Sequence, residues 1–330
     1  MLLKSPKFIT FIIFLFVIIV AAIWYLSASA APQENVESER FIIGLNTKLS
    51  EAIADLKSGG FIKSPLAFKI TLALTKAGDF KPGGYKISKS MNAWTIAQTL
   101  KTEPYMKWVI IPEGYRKEQI AEILARNLDW SEEITAKWIE KDTAQKADYV
   151  EGVYFPDTYL IPVDESPSDV AARLFAKFNE KFTPYLIEAA KQNIRWLTLL
   201  KIASIIERET GSKEDMPLIS GIIWNRLLKN IKLDIDATVQ YARGNAGGGF
   251  WAPLKPGDTK IDSPFNTYLH SGLPPHPISN PGLSAIDAAL HPTKTDCLYY
   301  LHDSSKQIHC TKTYKEHKTN IEIYLKNNSI

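Results

Sequence analysis

Hydrophobic residues form one continuous run near the N-terminus, from Phe8 to Leu26, and only Thr10 interrupts it. As a helix rising 1.5 Å per residue, this run would be about 28 Å long, close to the hydrocarbon thickness of a bilayer. The pattern therefore predicts a transmembrane helix over residues 8–26, followed by a polar linker at residues 27–40.

The charges on the two sides of this run predict its orientation. Two lysines, Lys4 and Lys7, precede it, whereas three glutamates follow it within residues 34–39. Because basic flanks stay in the cytoplasm, residues 1–7 are predicted to be cytoplasmic, and the rest of the chain to lie outside the inner membrane. A cleaved signal peptide is the alternative, because small residues follow the run, but its apolar core would be unusually long.

A second apolar pattern, with helical spacing, runs from Leu197 to Gly211. At 3.6 residues per turn, Leu200, Ala203 and Glu207 fall on one face, so that a carboxyl group ends an apolar stripe. When such a face is covered, the carboxyl group loses hydration and its pKa rises. Glu207 is therefore a candidate acid, although the same spacing is typical of a core helix that ends in a solvated residue.

Residues 41–105 are predicted to form a small subdomain of strand, helix, helix and strand. Its first helix begins at Ser50 and ends at Gly59, and its second has Ser64 as cap and Pro65 at the first helical position. The order resembles the LysM module, a small peptidoglycan-binding unit, at the level of pattern only. A small α+β spacer fits the same order, because a fold does not carry a function.

The remaining residues, 106–330, are predicted to form a larger mixed α/β domain. Residues 108–119 indicate a strand and a turn before a helix, and residues 128–191 are mostly helical by pattern, apart from an extended aromatic segment at 151–162. The predicted fold class is α+β: a transmembrane helix, a small LysM-like βααβ subdomain and a larger mixed domain.

Two polar segments follow the helix that carries Glu207. In residues 232–244 polar groups recur at alternate positions, which indicates a strand with one wet face. Residues 263–292 are rich in proline and are predicted to form one long irregular loop. Long ordered loops in compact domains are more often functional than not.

Composition and net charge indicate a globular protein and argue against nucleic acid as its partner. A net charge of +3 with 23% charged residues is typical of a globular protein and lacks the basic excess of a nucleic-acid-binding surface.

The two cysteines, Cys297 and Cys310, flank a predicted hairpin. A disulfide in an oxidising compartment and two free thiols both fit this placement.

Nine segments in the same order resemble the endolytic murein transglycosylases, the MltG or YceG-like family. Besides the N-terminal run and the LysM-like unit, they are IPEGYRKEQIAEIL, EGVYFPDTYLIP, LLKIASIIERETG, IIWNRL, LDIDATVQYA, SPFNTYLHSGLPPHPISNPG and ALHPTKTDCLYY. The resemblance covers most of the chain, and it identifies residues 106–330 as the family's catalytic domain.

The resemblance implies cleavage of the β-1,4 bond between N-acetylmuramic acid and N-acetylglucosamine within glycan strands, which leaves a 1,6-anhydro end. The family's catalytic acid is the first glutamate of ASIIERET, which is Glu207 here. Because the sugar's own C6 hydroxyl is the nucleophile, one carboxyl group can act first as acid and then as base. The implied partners are peptidoglycan strands, the cytoplasmic membrane and peptidoglycan-synthesising enzymes; no cofactor or metal is implied.

Polar positions that match the family motifs are candidates for holding the glycan. They are Asn225, Asp236, Thr238, Gln240, Tyr241, Asn266 and Tyr268. Each of them could equally be a turn or cap residue. Two positions depart from the family pattern: Asp234 stands where glutamine is common, and His276 where glycine is common. A carboxylate at Asp234 could alter the pKa of Glu207, whereas His276 is read as a loop substitution.

Two rival functions compete with this interpretation. A membrane-tethered module that binds peptidoglycan without cleaving it would share most of the motifs, but the intact Glu207 argues against it. A metalloenzyme would need ligand spacings such as HExxH or CxxC, and neither is present in the sequence.

Overall fold

The computed structural model describes residues 6–144 and 150–326 of a mixed α/β protein that begins with an apolar helix. The chain divides into two compact units. The first comprises Met1–Val109 with Tyr159–Asp164, and the second comprises Ile110–Thr158 with Glu165–Ile330. The predicted mixture of helices and strands behind an apolar N-terminal helix is confirmed.

The first unit is built on a four-stranded sheet of order β1-β2-β3-β4. Strand β1 pairs antiparallel with β2, with Phe41 opposite Tyr85, and both side chains enter a core shared with Leu56 and Phe68. The elements are α1 (Pro6–Ser29), β1 (Glu39–Ile43), α2 (Leu49–Ser58), α3 (Pro65–Thr75), β2 (Gly83–Ile87), α4 (Ala93–Lys101), β3 (Met106–Ile110) and β4 (Thr158–Pro162).

The order strand, helix, helix, strand predicted for residues 41–105 is present in this unit. Ser64 caps α3 by accepting a hydrogen bond from the Ala67 N–H, and Pro65 is the first helical residue, as the sequence predicted. Helix α2 ends at a Gly59 cap.

Helix α1 is long and apolar enough to cross a membrane. An 18-residue window within its segment Lys7–Ser29 has a mean hydropathy of 2.9, and none of that window is buried inside the protein. It extends beyond the predicted span of residues 8–26 at both ends, and it is compatible with a membrane anchor.

The second unit is mainly helical, with α8 at its centre. Helices α7, α9, α10 and α11 all contact α8, and its residues from Ile202 to Ile206 are fully buried. The elements are α5 (Lys117–Leu128), α6 (Glu132–Lys137), α7 (Pro167–Lys191), α8 (Trp196–Glu209), α9 (Met216–Leu228), α10 (Asp236–Arg243), α11 (Leu283–Leu290), β5 (Tyr299–His302), β6 (Ile308–Thr311) and α12 (Tyr314–Asn320).

Two predictions of local structure are wrong in this unit. Residues 236–243 form helix α10 rather than a wet strand, because Asp236 favours a helix N-terminus and Val239 is buried one turn later. Residues 263–282 are irregular as predicted, but Leu283–Leu290 form α11. This stretch lacks proline, and its apolar side pairs with α8.

The two cysteines are joined. Strands β5 and β6 form an antiparallel hairpin in which Leu301 faces His309. Cys310, in β6, and Cys297, two residues before β5, form a disulfide with their Cα atoms 5.8 Å apart. The structure thus decides between the two alternatives that the sequence left open, and a disulfide suits an oxidising compartment.

Candidate active site

Helix α8 carries Glu207 in its last turn, where its buried face reaches the surface. Leu200 and Ala203 are fully buried, and Glu207, one turn later, is partly buried. Its Oε2 accepts a hydrogen bond from the backbone N–H of Gly282 at 3.0 Å. An apolar stripe therefore ends in a partly covered carboxyl group.

Burial is the largest influence on Glu207, and it raises the pKa of this carboxyl group. The Gly282 N–H lowers the pKa, the negative charge of Glu113 raises it, and the positive charges of Lys213 and Arg208 lower it. The hydrogen-bond donor to Glu207 is a neutral backbone group, and the net direction of the pKa is upward. Such a group can keep its proton closer to neutral pH.

A second carboxylate, Glu113, lies beside Glu207 in the loop between β3 and α5. Its side chain covers Gly282, where an added Cβ would overlap it, and its Oε2 lies 3.6 Å from Nζ of Lys213. The next residue, Gly114, has φ of 75°, and a Cβ there would lie 3.3 Å from Cγ of Glu207. Glycine is favoured at this position by its positive φ, and a Cβ would also crowd Glu207 and Arg208.

The buried side chain of Asn280 holds these segments together. Its Nδ2 donates to the carbonyl of Tyr115 at 2.9 Å and to Oε1 of Glu151 at 2.6 Å, while its Oδ1 accepts from the Tyr154 N–H at 2.8 Å. Its own carbonyl accepts from the Gly114 N–H at 2.9 Å. One amide therefore fixes the loop that borders Glu207 on one side.

Glu151 ties the same network to the start of helix α5. It is fully buried, and its two oxygens accept from the Lys117 N–H at 3.1 and 3.2 Å. The pKa of Glu151 is raised to about 8, mainly by burial; the charge of Glu118 also raises it, whereas Lys117 and Arg116 lower it. With two N–H donors and the Tyr241 hydroxyl around it, this carboxyl group acts as an internal brace.

An aromatic ring lies at the same end of α8. The Arg208 guanidinium stacks over Trp251 at 4.2 Å from the ring centroid, and the Trp251 indole donates to Oε1 of Gln119 at 2.8 Å. Burial lowers the pKa of Arg208. Arg208, which follows Glu207 in the chain, therefore makes a cation–π contact with the Trp251 indole.

Comparison with known proteins decides the family. The profile of the YceG-like family matches residues 41–323. The chain belongs to the YceG-like family.

Proteins similar to this YceG-like chain include two that are named endolytic murein transglycosylases and one with a crystal structure. The endolytic murein transglycosylase of Bacillus subtilis (strain 168) is 32% identical over 301 residues, covering 84% of this chain and 82% of that protein. The protein of the same name from Streptococcus pneumoniae serotype 2 is 28% identical, covering 90% of this chain and 60% of that longer protein. A crystal structure of a YceG-like protein from Listeria monocytogenes matches with a TM-score of 0.59 and 28% identity, over 86% of this chain and 98% of that one.

Two of the residues nominated from the YceG-like motifs face a common cavity. Asp236 and Tyr268 line a cavity of about 630 Å³ together with Glu209, and the Tyr268 hydroxyl donates to Oδ1 of Asp236 at 2.7 Å. Glu209 accepts from the Tyr300 hydroxyl at 2.7 Å, and burial raises its pKa. Because Glu209 lies two residues after Glu207, it points to another face of α8.

The other five nominated side chains make internal hydrogen bonds. Their partners are Thr267 for Thr238 (2.9 Å), the Thr259 and Ile261 carbonyls for Asn266 (3.0 and 2.8 Å), the Thr295 carbonyl for Asn225 (2.7 Å), the Ala252 carbonyl for Gln240 (3.1 Å) and Glu151 for Tyr241 (3.5 Å). Thr238 and Asn266 are also fully buried. In this structure these side chains support the elements around the site.

The two residues that depart from the YceG-like pattern, Asp234 and His276, both contact other side chains. Asp234 forms an ion pair with Arg226 at 2.7 Å, and the His276 ring packs 5.3 Å from that of Phe265. The carboxylate that raises the pKa of Glu207 is Glu113 rather than Asp234.

Sequence reasoning did not nominate Glu113, Gly282, Asn280 or Glu151 as site residues. The signal was nevertheless present, because Glu113 lies in the quoted segment IPEGYR and Gly282 ends SNPG. Both segments belong to loops that follow regular elements, where functional residues are concentrated.

Proposed function

We propose that this protein is an endolytic lytic transglycosylase of peptidoglycan, with Glu207 as its acid and base. It would cleave the β-1,4 bond between N-acetylmuramic acid and N-acetylglucosamine within glycan strands. The observation that carries the proposal is a partly buried glutamate at the end of α8 whose pKa is raised and whose hydrogen-bond donor is a backbone N–H. The name endolytic murein transglycosylase, borne by the relatives from B. subtilis and S. pneumoniae, supports it.

The chemistry assigns two successive proton transfers to one side chain. Protonated Glu207 donates its proton to the bridging oxygen as the bond from the muramic acid C1 to that oxygen breaks. The C6 hydroxyl oxygen then bonds to C1, and its proton passes to the carboxylate of Glu207. No water is consumed, the carboxyl group is restored, and the product carries a 1,6-anhydro ring.

The neighbours of Glu207 have separate roles in this proposal. The Gly282 N–H holds Oε2 of Glu207 in place through the cycle. Glu113 favours the protonated form that begins the reaction, because its negative charge raises the pKa of Glu207. Asp236 and Tyr268 are proposed to contact sugar hydroxyls in their cavity, while Asn225, Thr238, Gln240, Tyr241 and Asn266 position the surrounding elements.

The remaining parts of the chain are proposed to place this chemistry at the membrane. Helix α1 would be a retained anchor of the inner membrane with its N-terminus in the cytoplasm, because the lysines precede it and the glutamates follow it. The βααβ part of the first unit would act as a LysM-like wall-binding element. Peptidoglycan-synthesising enzymes would be partners, since an endolytic cutter near the membrane acts on newly made strands.

Product analysis tests the reaction itself. We expect the purified full-length chain to convert isolated glycan strands into shorter strands that end in 1,6-anhydromuramic acid, which mass spectrometry distinguishes from reducing ends by the mass of one water. Reducing ends would instead identify a hydrolase. Binding of strands without cleavage would favour a non-catalytic wall-binding module.

The charges beside Glu207 should move the pH profile in opposite directions. Activity needs the protonated acid, so it falls as pH rises through the pKa of Glu207. Glu113→Gln removes a charge that raises this pKa, so the alkaline limb should move to lower pH, whereas Lys213→Gln removes a charge that lowers it and should move the limb to higher pH. The measurement is kcat/KM against pH for both variants and the wild type. Equal profiles for all three would exclude Glu207 as the group that titrates.

A further inference from the structure

Helix α3 of the first unit is apolar on two opposite faces. Phe68 and Leu72 enter the core, whereas Leu66, Ile70 and Leu74 are 58%, 37% and 61% exposed. The last three residues are four apart, so they form one stripe along the helix, here called the α3 stripe. A helix that is apolar all round normally has both faces covered.

Basic residues flank this stripe. Lys69 and Lys76 are exposed and line a mostly apolar hollow of about 650 Å³ between α2 and α3, together with Leu49 and Ile53. Neither lysine forms an ion pair with a residue that the structure describes. Apolar side chains bordered by unpaired lysines match an anionic lipid surface, in which the stems contact acyl chains and the ammonium groups reach phosphates.

A contact with helix α1 indicates where this surface lies. The Tyr25 hydroxyl, at the outer end of the apolar run, is 2.9 Å from Oγ1 of Thr71. Thr71 is buried and adjoins Ile70 of the stripe. Tyrosine is enriched where a transmembrane helix leaves the hydrocarbon. Helix α3 therefore meets α1 at the level of the membrane interface.

We infer that α3 lies along the surface of the membrane that α1 spans, with the α3 stripe inserted between the headgroups and acyl chains of anionic phospholipids. Lys69 and Lys76 bind the lipid phosphates. The inference rests on the proposed anchoring by α1, and it adds a second attachment point. The first unit is then held at a fixed orientation on the bilayer instead of being free to rotate at the end of a linker.

The test measures the depth of Ile70 in a bilayer. The full-length chain carrying Ile70→Cys is labelled with a nitroxide, which is possible because the native cysteines are joined, and is reconstituted into vesicles of phosphatidylcholine and phosphatidylglycerol. The control is Gln98→Cys, at an exposed polar position of α4. We expect the ratio of collisions with oxygen to collisions with an aqueous nickel chelate to be several-fold higher at position 70 than at position 98.

Equal, water-like ratios at both positions would overturn the inference. A label at position 70 that is shielded from both reagents would also overturn it, because a protein partner would then cover the stripe. In vesicles of phosphatidylcholine alone, or after Lys69→Gln with Lys76→Gln, the ratio at position 70 should fall; an unchanged ratio would refute the role of the lysines. Failure of the anchor itself is distinguishable, because the chain would then not float with the vesicles.

Discussion

Replacement of Glu207 by glutamine should abolish cleavage of glycan strands while leaving the fold intact. Glutamine has almost the same volume, and its Oε1 can still accept the Gly282 N–H that Glu207 accepts at 3.0 Å. It cannot donate a proton to the leaving oxygen or receive one from the C6 hydroxyl. Because general acid–base catalysis contributes about 10²- to 10⁴-fold, kcat should fall by that factor with little change in KM. The measurement is the rate at which 1,6-anhydro ends appear.

Glu214→Gln is the matched control for this variant. Glu214 is an exposed glutamate just beyond the end of α8, and its replacement removes the same carboxyl group without touching the site. We expect wild-type rates from it and unchanged thermal unfolding from both variants. If Glu207→Gln kept the wild-type rate, Glu207 would not be the acid, and the proposed mechanism would have to be abandoned.

Asn280→Ala should be the most damaging of the replacements that leave Glu207 itself unchanged. The truncation removes the Nδ2 amide that donates to the Tyr115 carbonyl and to Oε1 of Glu151. It also leaves the buried Tyr154 N–H without its acceptor. Buried polar groups that lose their partners cost about 1–3 kcal/mol each, so the free energy of unfolding of the second unit should fall by about 2–4 kcal/mol. Denaturant unfolding followed by circular dichroism measures this loss.

The same variant should lose activity while it is still folded. Asn280 fixes Gly114 on one side of Glu207 and precedes the Gly282 donor by two residues. A displacement of about 1 Å at either position can cost about 10²-fold in rate. Asn179→Ala, at an exposed position of α7, is the control and should change neither quantity. Full activity from Asn280→Ala below its unfolding transition would show that the network is not needed to place the acid.

Local patterns predicted the elements whose signals lie close together in the chain. The span of α1, the cap of α3 by Ser64 and the apolar face of α8 each follow from spacing or from one capping residue. Residues 236–243 misled the prediction, because alternate polar positions in so short a segment fit a strand as well as a helix. Burial of Val239 against other helices decided in favour of the helix.

The candidate site was also predictable only in part, because sequence patterns do not show which side chains tertiary packing buries. The family motifs nominated Glu207, and helical spacing placed it at the end of an apolar stripe. Those motifs also nominated Thr238 and Asn266, which are fully buried and hydrogen-bonded internally. A motif shows that a polar residue is needed at a position, but it does not show whether the side chain faces a ligand or supports a turn.

By itself, the sequence determined the family, through motifs spread over most of the chain, and the apolar helix, whose residues are continuous. It also nominated Glu207 as the acid that we propose. Only the tertiary structure decided what surrounds Glu207. Glu113 and Gly282 lie far from it in the chain, and they meet it because Asn280 ties their loops together through hydrogen bonds. Burial and a neighbouring charge are properties of this assembled environment, and together they raise the pKa on which the proposed chemistry depends.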